Sequence, residues 1–211
     1  MIRFVTVFLA MAGLLAALPA RAEPLRILAL GDSLTAGYQL PPEAAFPVQL
    51  EAALKARGHD VVVVNAGVSG DTTAGGLSRL DWSLGEGADA VIVELGANDA
   101  LRGLPVASAR ANLERIVGSL AERGLPVLLA GIAAPRNMGE DYVAGFERMY
   151  AEIAADHDAV LYPNFLAGIP ITAETVLPDG IHPTQKGVAI IVEGILPKVE
   201  ELIARAGAAR G

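Results

Sequence analysis

The chain has 211 residues, 53% of them hydrophobic and 19% charged, which suits one α/β domain with a sizeable core and does not suit a disordered segment. Its formal charge of −8 argues against nucleic acid and anionic membrane surfaces as partners. With no cysteine, it has no disulfide, no thiol nucleophile and no Cys-ligated zinc.

Residues 1–22, MIRFVTVFLAMAGLLAALPARA, form the first predicted segment. Arg3 precedes an apolar run from Phe4 to Leu18, and the segment ends in the small-x-small pattern Ala20-Arg21-Ala22. That is the pattern of a secretory signal, with cleavage expected after Ala22. The run is short for a membrane span, and no cysteine is present to carry a lipid, so no stable membrane anchor is expected. Losing Arg3 and Arg21 takes the charge from −8 to about −10. The expected location is the bacterial periplasm or the medium, and residues 23–211 are expected to form a single domain.

From Leu25 onward, strand-like runs alternate with helical stretches. The strands are predicted at 25–30, 60–67, 89–96, 125–132 and 159–165, each aliphatic throughout and not alternating with polar residues. Such runs are buried on both faces, as in parallel sheets. Helices are predicted at Phe46–Arg57, Ala74–Leu84, Val106–Arg123 and Asp141–Asp156, with a last one from about Pro183 to Ala206. Five strands and five crossovers make an open parallel sheet flanked by helices.

In such a sheet, chemistry gathers at the carboxyl ends of the strands. Those ends read GDSLTAG, NAGVSGDTT, GANDALRG and AAPRNMG, and the fifth leads to LPDGIHPTQKG. Of the three histidines, His59 and His157 fall in turns at the amino ends of strands, the wrong edge. His182 lies on the chemical edge, three residues after Asp179, close enough for the carboxylate to fix its tautomer. Pro183 is expected to open the first turn of the last helix.

Ser33 stands at the tip of the first strand. It could cap a helix, but Asp32 can do that equally well, which leaves the hydroxyl for other work. A serine needs a positioned base to become a nucleophile, and His182 is the histidine at the right edge. Three groups could stabilise an oxyanion: the Ser33 N–H, the Gly70 N–H and the Asn98 amide. Gly70 is expected to serve because a missing Cβ lets backbone approach a ligand. Leu101 and Leu104, in the loop beside Asn98, are expected to wall the substrate site.

Competing chemistries have weaker support. Ser69, in GVSGD, is a rival nucleophile that does not fit the G-x-S-x-G elbow. Neither G-x-x-x-x-G-K-[ST] nor a strand followed by G-x-G-x-x-G occurs, so nucleotide binding lacks its usual cradle. Asp71 and Asp99 could suggest a metal, but no His/Asp cluster has ligand spacing, and Asp71 is expected to order its loop. Trp82 reads as helix packing.

GDSL, SGDTT, GAND and DGIHP, in this order and across the mature chain, resemble the four sequence blocks of the GDSL or SGNH hydrolases. The likeness is greatest to their exported bacterial acyl-CoA thioesterase, lysophospholipase and arylesterase group. The resemblance implies a three-layer α/β/α flavodoxin-like fold and hydrolysis of acyl esters or thioesters through an acyl-serine, with no cofactor and no metal. It places the nucleophile on Ser33, its partners on Asp179 and His182, and the oxyanion hole on Ser33, Gly70 and Asn98. A carbohydrate O-deacetylase of the same family and a non-catalytic binding module are the alternatives.

Overall fold

The apolar runs pair as expected of strands with two buried faces. The computed structural model describes residues 23–210; the leader expected at 1–22 lies outside them. The strands β1 (Leu25–Gly31), β2 (Val61–Gly67), β3 (Ala90–Glu94), β4 (Val127–Ala130) and β5 (Val160–Tyr162) form one all-parallel sheet in the order β2-β1-β3-β4-β5. All residues of β3 and β4 are buried, whereas the edge strand β2 is half open. Gly31 lies in register with Gly67 on one side and Glu94 on the other, so three strand ends finish level. The chain runs from β1 outward to β2, then crosses back over β1 to β3 and on through β4 to β5, so the strand order reverses between β1 and β3, the switch point where ligands bind in open α/β sheets.

Helices cover both faces. On one side α2 (Phe46–Ala56) packs against α8 (Gln185–Arg210), and on the other α3 (Thr73–Ser78) and α7 (Glu140–Asp156) pack against α6 (Val106–Glu122). The buried face of α8, Val188, Ile191, Ile195, Val199 and Leu202, follows the spacing of one helical stripe. Each such side chain contributes about 2 kcal/mol on burial. The architecture is the three-layer α/β/α arrangement. Among the described residues, no helix is long and apolar enough to cross a membrane.

β4 and β5 are shorter than the runs expected at 125–132 and 159–165, and three larger differences concern helices. The helix expected over 74–84 is broken into α3 and α4 (Leu80–Ser83) at Arg79. Arg79 turns inward, donating to the carbonyls of Gly31 and Ala66 and pairing with Asp71 at 2.6 Å, so one guanidinium ties the ends of β1 and β2 to the following loop. Trp82, on α4, does not pack and is 82% exposed, whereas Leu80 of the same short helix is buried. Finally, α8 begins at Gln185, after Pro183 has formed a bridge with Val176; Thr184 supplies the cap, its Oγ1 accepting from the Gly187 N–H.

Candidate active site

At the end of β1 the chain turns straight into a short helix, α1 (Ser33–Ala36). Asp32 caps it, Oδ1 accepting the Leu34 N–H at 3.0 Å, so the capping task does not fall to Ser33. The Ser33 Oγ lies 2.9 Å from His182 Nε2, and His182 Nδ1 lies 2.7 Å from Asp179 Oδ2. The other Asp179 oxygen accepts the N–H groups of Ile181 and His182. Those two N–H groups, together with the imidazole, hold the Asp179 carboxyl down at about 2. An ionised Asp179 requires Nδ1 to carry the ring proton, which leaves Nε2 to accept from the Ser33 hydroxyl. A hydroxyl facing a base that is itself oriented by a third group is the arrangement that makes serine nucleophilic.

The three residues expected to supply oxyanion donors border the same cavity as this hydroxyl. Neither the Ser33 nor the Gly70 N–H donates a backbone hydrogen bond among the described residues. Gly70 is glycine because of its φ of 86° and not because of crowding: a Cβ there would meet only the Arg102 guanidinium, at 3.8 Å. Arg102 Nη2 donates to the Gly70 carbonyl at 2.8 Å, which fixes the peptide. Asn98 sits in α5 (Ala97–Leu101), a helix too short to be legible in the sequence. Its Nδ2 donates to the Asp71 carbonyl at 2.8 Å and to Asp32 Oδ2 at 3.2 Å.

Ser33, Gly70, Asn98 and His182 all face one cavity of about 260 Å³. Its remaining wall is largely apolar, with Leu101, Ile132, Pro135, Leu166 and Ile181. Leu104 does not line it, contrary to the sequence expectation. The Leu104 N–H binds Asp99 and its carbonyl accepts from Tyr142 in α7, which folds that part of the loop away. Tyr38 also borders the site, its ring 4.4 Å from the His182 imidazole, centroid to centroid. No motif marks it, because the contact joins residues 144 positions apart.

The rival groups are placed elsewhere or occupied. Ser69 lines the same cavity, but the imidazole in it is bonded to Ser33. His59 is paired with Glu200, and His157 borders a separate open groove of about 1010 Å³ between α3–α4 and α6. Asp71 is bound by Arg79, as expected of a loop-ordering residue, and Asp99 accepts from the Thr73 N–H and hydroxyl. Among the described residues, no group of His, Asp and Glu could hold a metal ion.

Burial sets the charge of the acids beneath the site. It pushes Asp32 from an ordinary 3.8 up to about 6, and Glu94, with Asp32 beside it, well above the carboxylate range. Between the two Asp32 values the folded chain binds more protons than the unfolded one, so this contribution to stability falls as pH rises through 4 to 6. From pH 5 to pH 8 the Asp32 loss alone is about 1 kcal/mol, a few degrees in Tm, and Glu94 acts in the same direction. Thermal melts by circular dichroism are expected to give a lower Tm at pH 8 than at pH 5; a Tm that rises over this interval contradicts the assignment.

The chain is similar to known proteins over most of its length. The model of the GDSL-like lipase/acylhydrolase family matches residues 29–190. An arylesterase of Vibrio mimicus is 39% identical over 169 residues, covering 80% of this chain and 84% of that protein. The thioesterase 1/protease 1/lysophospholipase L1 of Escherichia coli K12 is 34% identical over 178 residues, covering 84% of each. The crystal structure of AlinE4, an SGNH-hydrolase family esterase, is similar at a TM-score of 0.73 and 42% identity, over 86% of this chain and 98% of that one. The matched span and the relatives at 34–39% identity make this chain a member of the GDSL-like lipase/acylhydrolase family.

Proposed function

We propose that the protein is a serine hydrolase that cleaves carboxylic esters and thioesters of small acyl substrates through an acyl-serine intermediate. The observation that carries the reading is the Ser33–His182–Asp179 series of hydrogen bonds at the mouth of an apolar cavity. In this mechanism His182 Nε2 takes the Ser33 proton as Oγ attacks the acyl carbonyl, and Asp179 steadies the imidazolium that forms. The carbonyl oxygen becomes an oxyanion facing the Ser33 and Gly70 N–H groups. Asn98 reaches it by yielding the longer of its two bonds, the one to Asp32. Protonated His182 then gives its proton to the leaving alcohol or thiol, and water, activated in the same way, releases the acid. Each oxyanion donor is worth about 10²–10³ in rate.

The cavity of about 260 Å³ lies just below the usual range of ligand pockets, which starts near ~300 Å³. Its size and apolar wall favour short to medium acyl groups over long ones. The leader-like residues 1–22 support export, with Glu23 as the first residue of the mature chain. The test is a panel of p-nitrophenyl esters from acetate to palmitate. We expect kcat/KM to peak below octanoate and to fall at least tenfold by palmitate. No hydrolysis of any chain length, with the protein folded, rejects the esterase reading.

A further inference from the structure

Beneath the Ser33 turn lies an acid that the reaction above does not use. Glu94 ends β3, is fully buried, and sits in register with Gly31 of β1. Its Oε2 accepts the Asp32 N–H at 3.4 Å and the Thr35 hydroxyl at 2.8 Å. Those donors flank Ser33 in the chain, one on each side. The space exists because residue 31 is glycine: a Cβ there would lie 2.1 Å from Thr35 Oγ1 and 2.8 Å from Glu94 Oε2. Glu94 Oε1 is the buried side-chain polar atom left without a partner among the described residues.

We propose that Glu94 is a positioning residue, a single buried acceptor that clamps both sides of the Ser33 turn to β3 and so holds Oγ against His182. The clamp extends further, because Asp32 Oδ1 caps α1 and Asp32 Oδ2 accepts from Asn98. A shift of Asp32 therefore moves the serine and the oxyanion amide together. The neutral acid is the form that fits. Burial, with Asp32 beside it, pushes the Glu94 pKa well up, Oε2 then serves as the carbonyl acceptor, and Oε1 is left without a partner but also without charge. An ionised carboxyl would leave a charged oxygen unpaired in the core, which is strongly unfavourable. For packing alone an aliphatic residue would suit the site, since the rest of β3 is Ala-Val-Ile-Val.

The inference rests on the proposed role of Ser33, and the experiment separates the two. Steady-state kinetics on p-nitrophenyl butyrate are measured for wild type, Glu94→Leu, Glu94→Gln, Thr35→Val and Ser33→Ala, well below each Tm. Glu94→Leu is expected to lower kcat about 10²-fold with KM within twofold, the size of effect that a small misplacement of reacting groups produces. Glu94→Gln, which keeps an acceptor oxygen at the same reach, is expected to recover kcat to within about threefold of wild type. Thr35→Val removes one of the two clamped donors and is expected to cost about fivefold in kcat. A folded Glu94→Leu with kcat within threefold of wild type overturns the inference, as does a Glu94→Gln as slow as Glu94→Leu. If Glu94→Leu does not fold, an unchanged kcat in Thr35→Val overturns it. An active Ser33→Ala rejects the serine reading itself; an inactive Ser33→Ala beside unaffected Glu94 and Thr35 variants rejects only the clamp.

Discussion

Ser33→Ala is expected to lower kcat/KM on p-nitrophenyl esters by about 10⁴-fold or more while leaving the fold intact, since members of a serine–histidine–aspartate set each carry effects of that order. The two halves of this expectation have separate causes. Activity goes because no other hydroxyl inherits the base: Ser69 is in the cavity without an imidazole bond, and the Thr35 hydroxyl is buried and spent on Glu94. Stability stays because the cap of α1 is Asp32, and alanine at position 33 keeps the backbone N–H that faces the cavity. Tm is therefore expected to move by no more than about 2 °C, within the usual range of substitutions that break no cap and open no cavity. A mutant with wild-type kcat/KM rejects the nucleophile, and a large drop in Tm would mean that the hydroxyl has a structural task.

The second large effect is expected at Asp179. In Asp179→Asn the remaining side-chain oxygen can still accept the Ile181 and His182 N–H groups, so the loop keeps its shape. The amide NH₂ then faces Nδ1, which must become the acceptor, and the ring proton moves to Nε2. An Nε2–H cannot take the serine proton, so kcat is expected to fall about 10³–10⁴-fold with KM little changed. With its carboxyl held at about 2, Asp179 stays ionised from pH 4 upward, so its own titration does not shape the wild-type profile there. Kinetics from pH 5 to 9 check both points. A variant within tenfold of wild type at every pH shows that the carboxylate does not set the tautomer.

Much of this site is legible in the sequence, for a physical reason. Ser33, Gly70 and Asn98 each follow an aliphatic run directly, and a parallel sheet brings the ends of such runs to one edge. His182 and Asp179 are legible because a carboxylate three residues away reaches an imidazole without help from the fold. What the sequence hides is contact across large separations. Arg79 joins the ends of two strands to the loop that follows, and its inward turn breaks a helix that composition alone predicts whole. Tyr38 against His182, Glu94 under Ser33 and the displacement of Leu104 by its ties to Asp99 and Tyr142 are likewise products of packing. Gly70 shows a subtler limit: its identity is legible, but the reason for it, a positive φ, is visible only once the turn is built.

The Ser33 hydroxyl and the imidazole that faces it are 149 residues apart in the chain, the serine just past the first strand and the histidine just ahead of the last helix. A ribosome therefore delivers the hydroxyl well before its base. Until α8 seats against α2 and the sheet, Ser33 is an ordinary alcohol, about as reactive as any other serine. On the proposed mechanism, fragments that stop short of His182, whether from interrupted translation or proteolysis, carry the hydroxyl without its base and are expected to be silent toward esters.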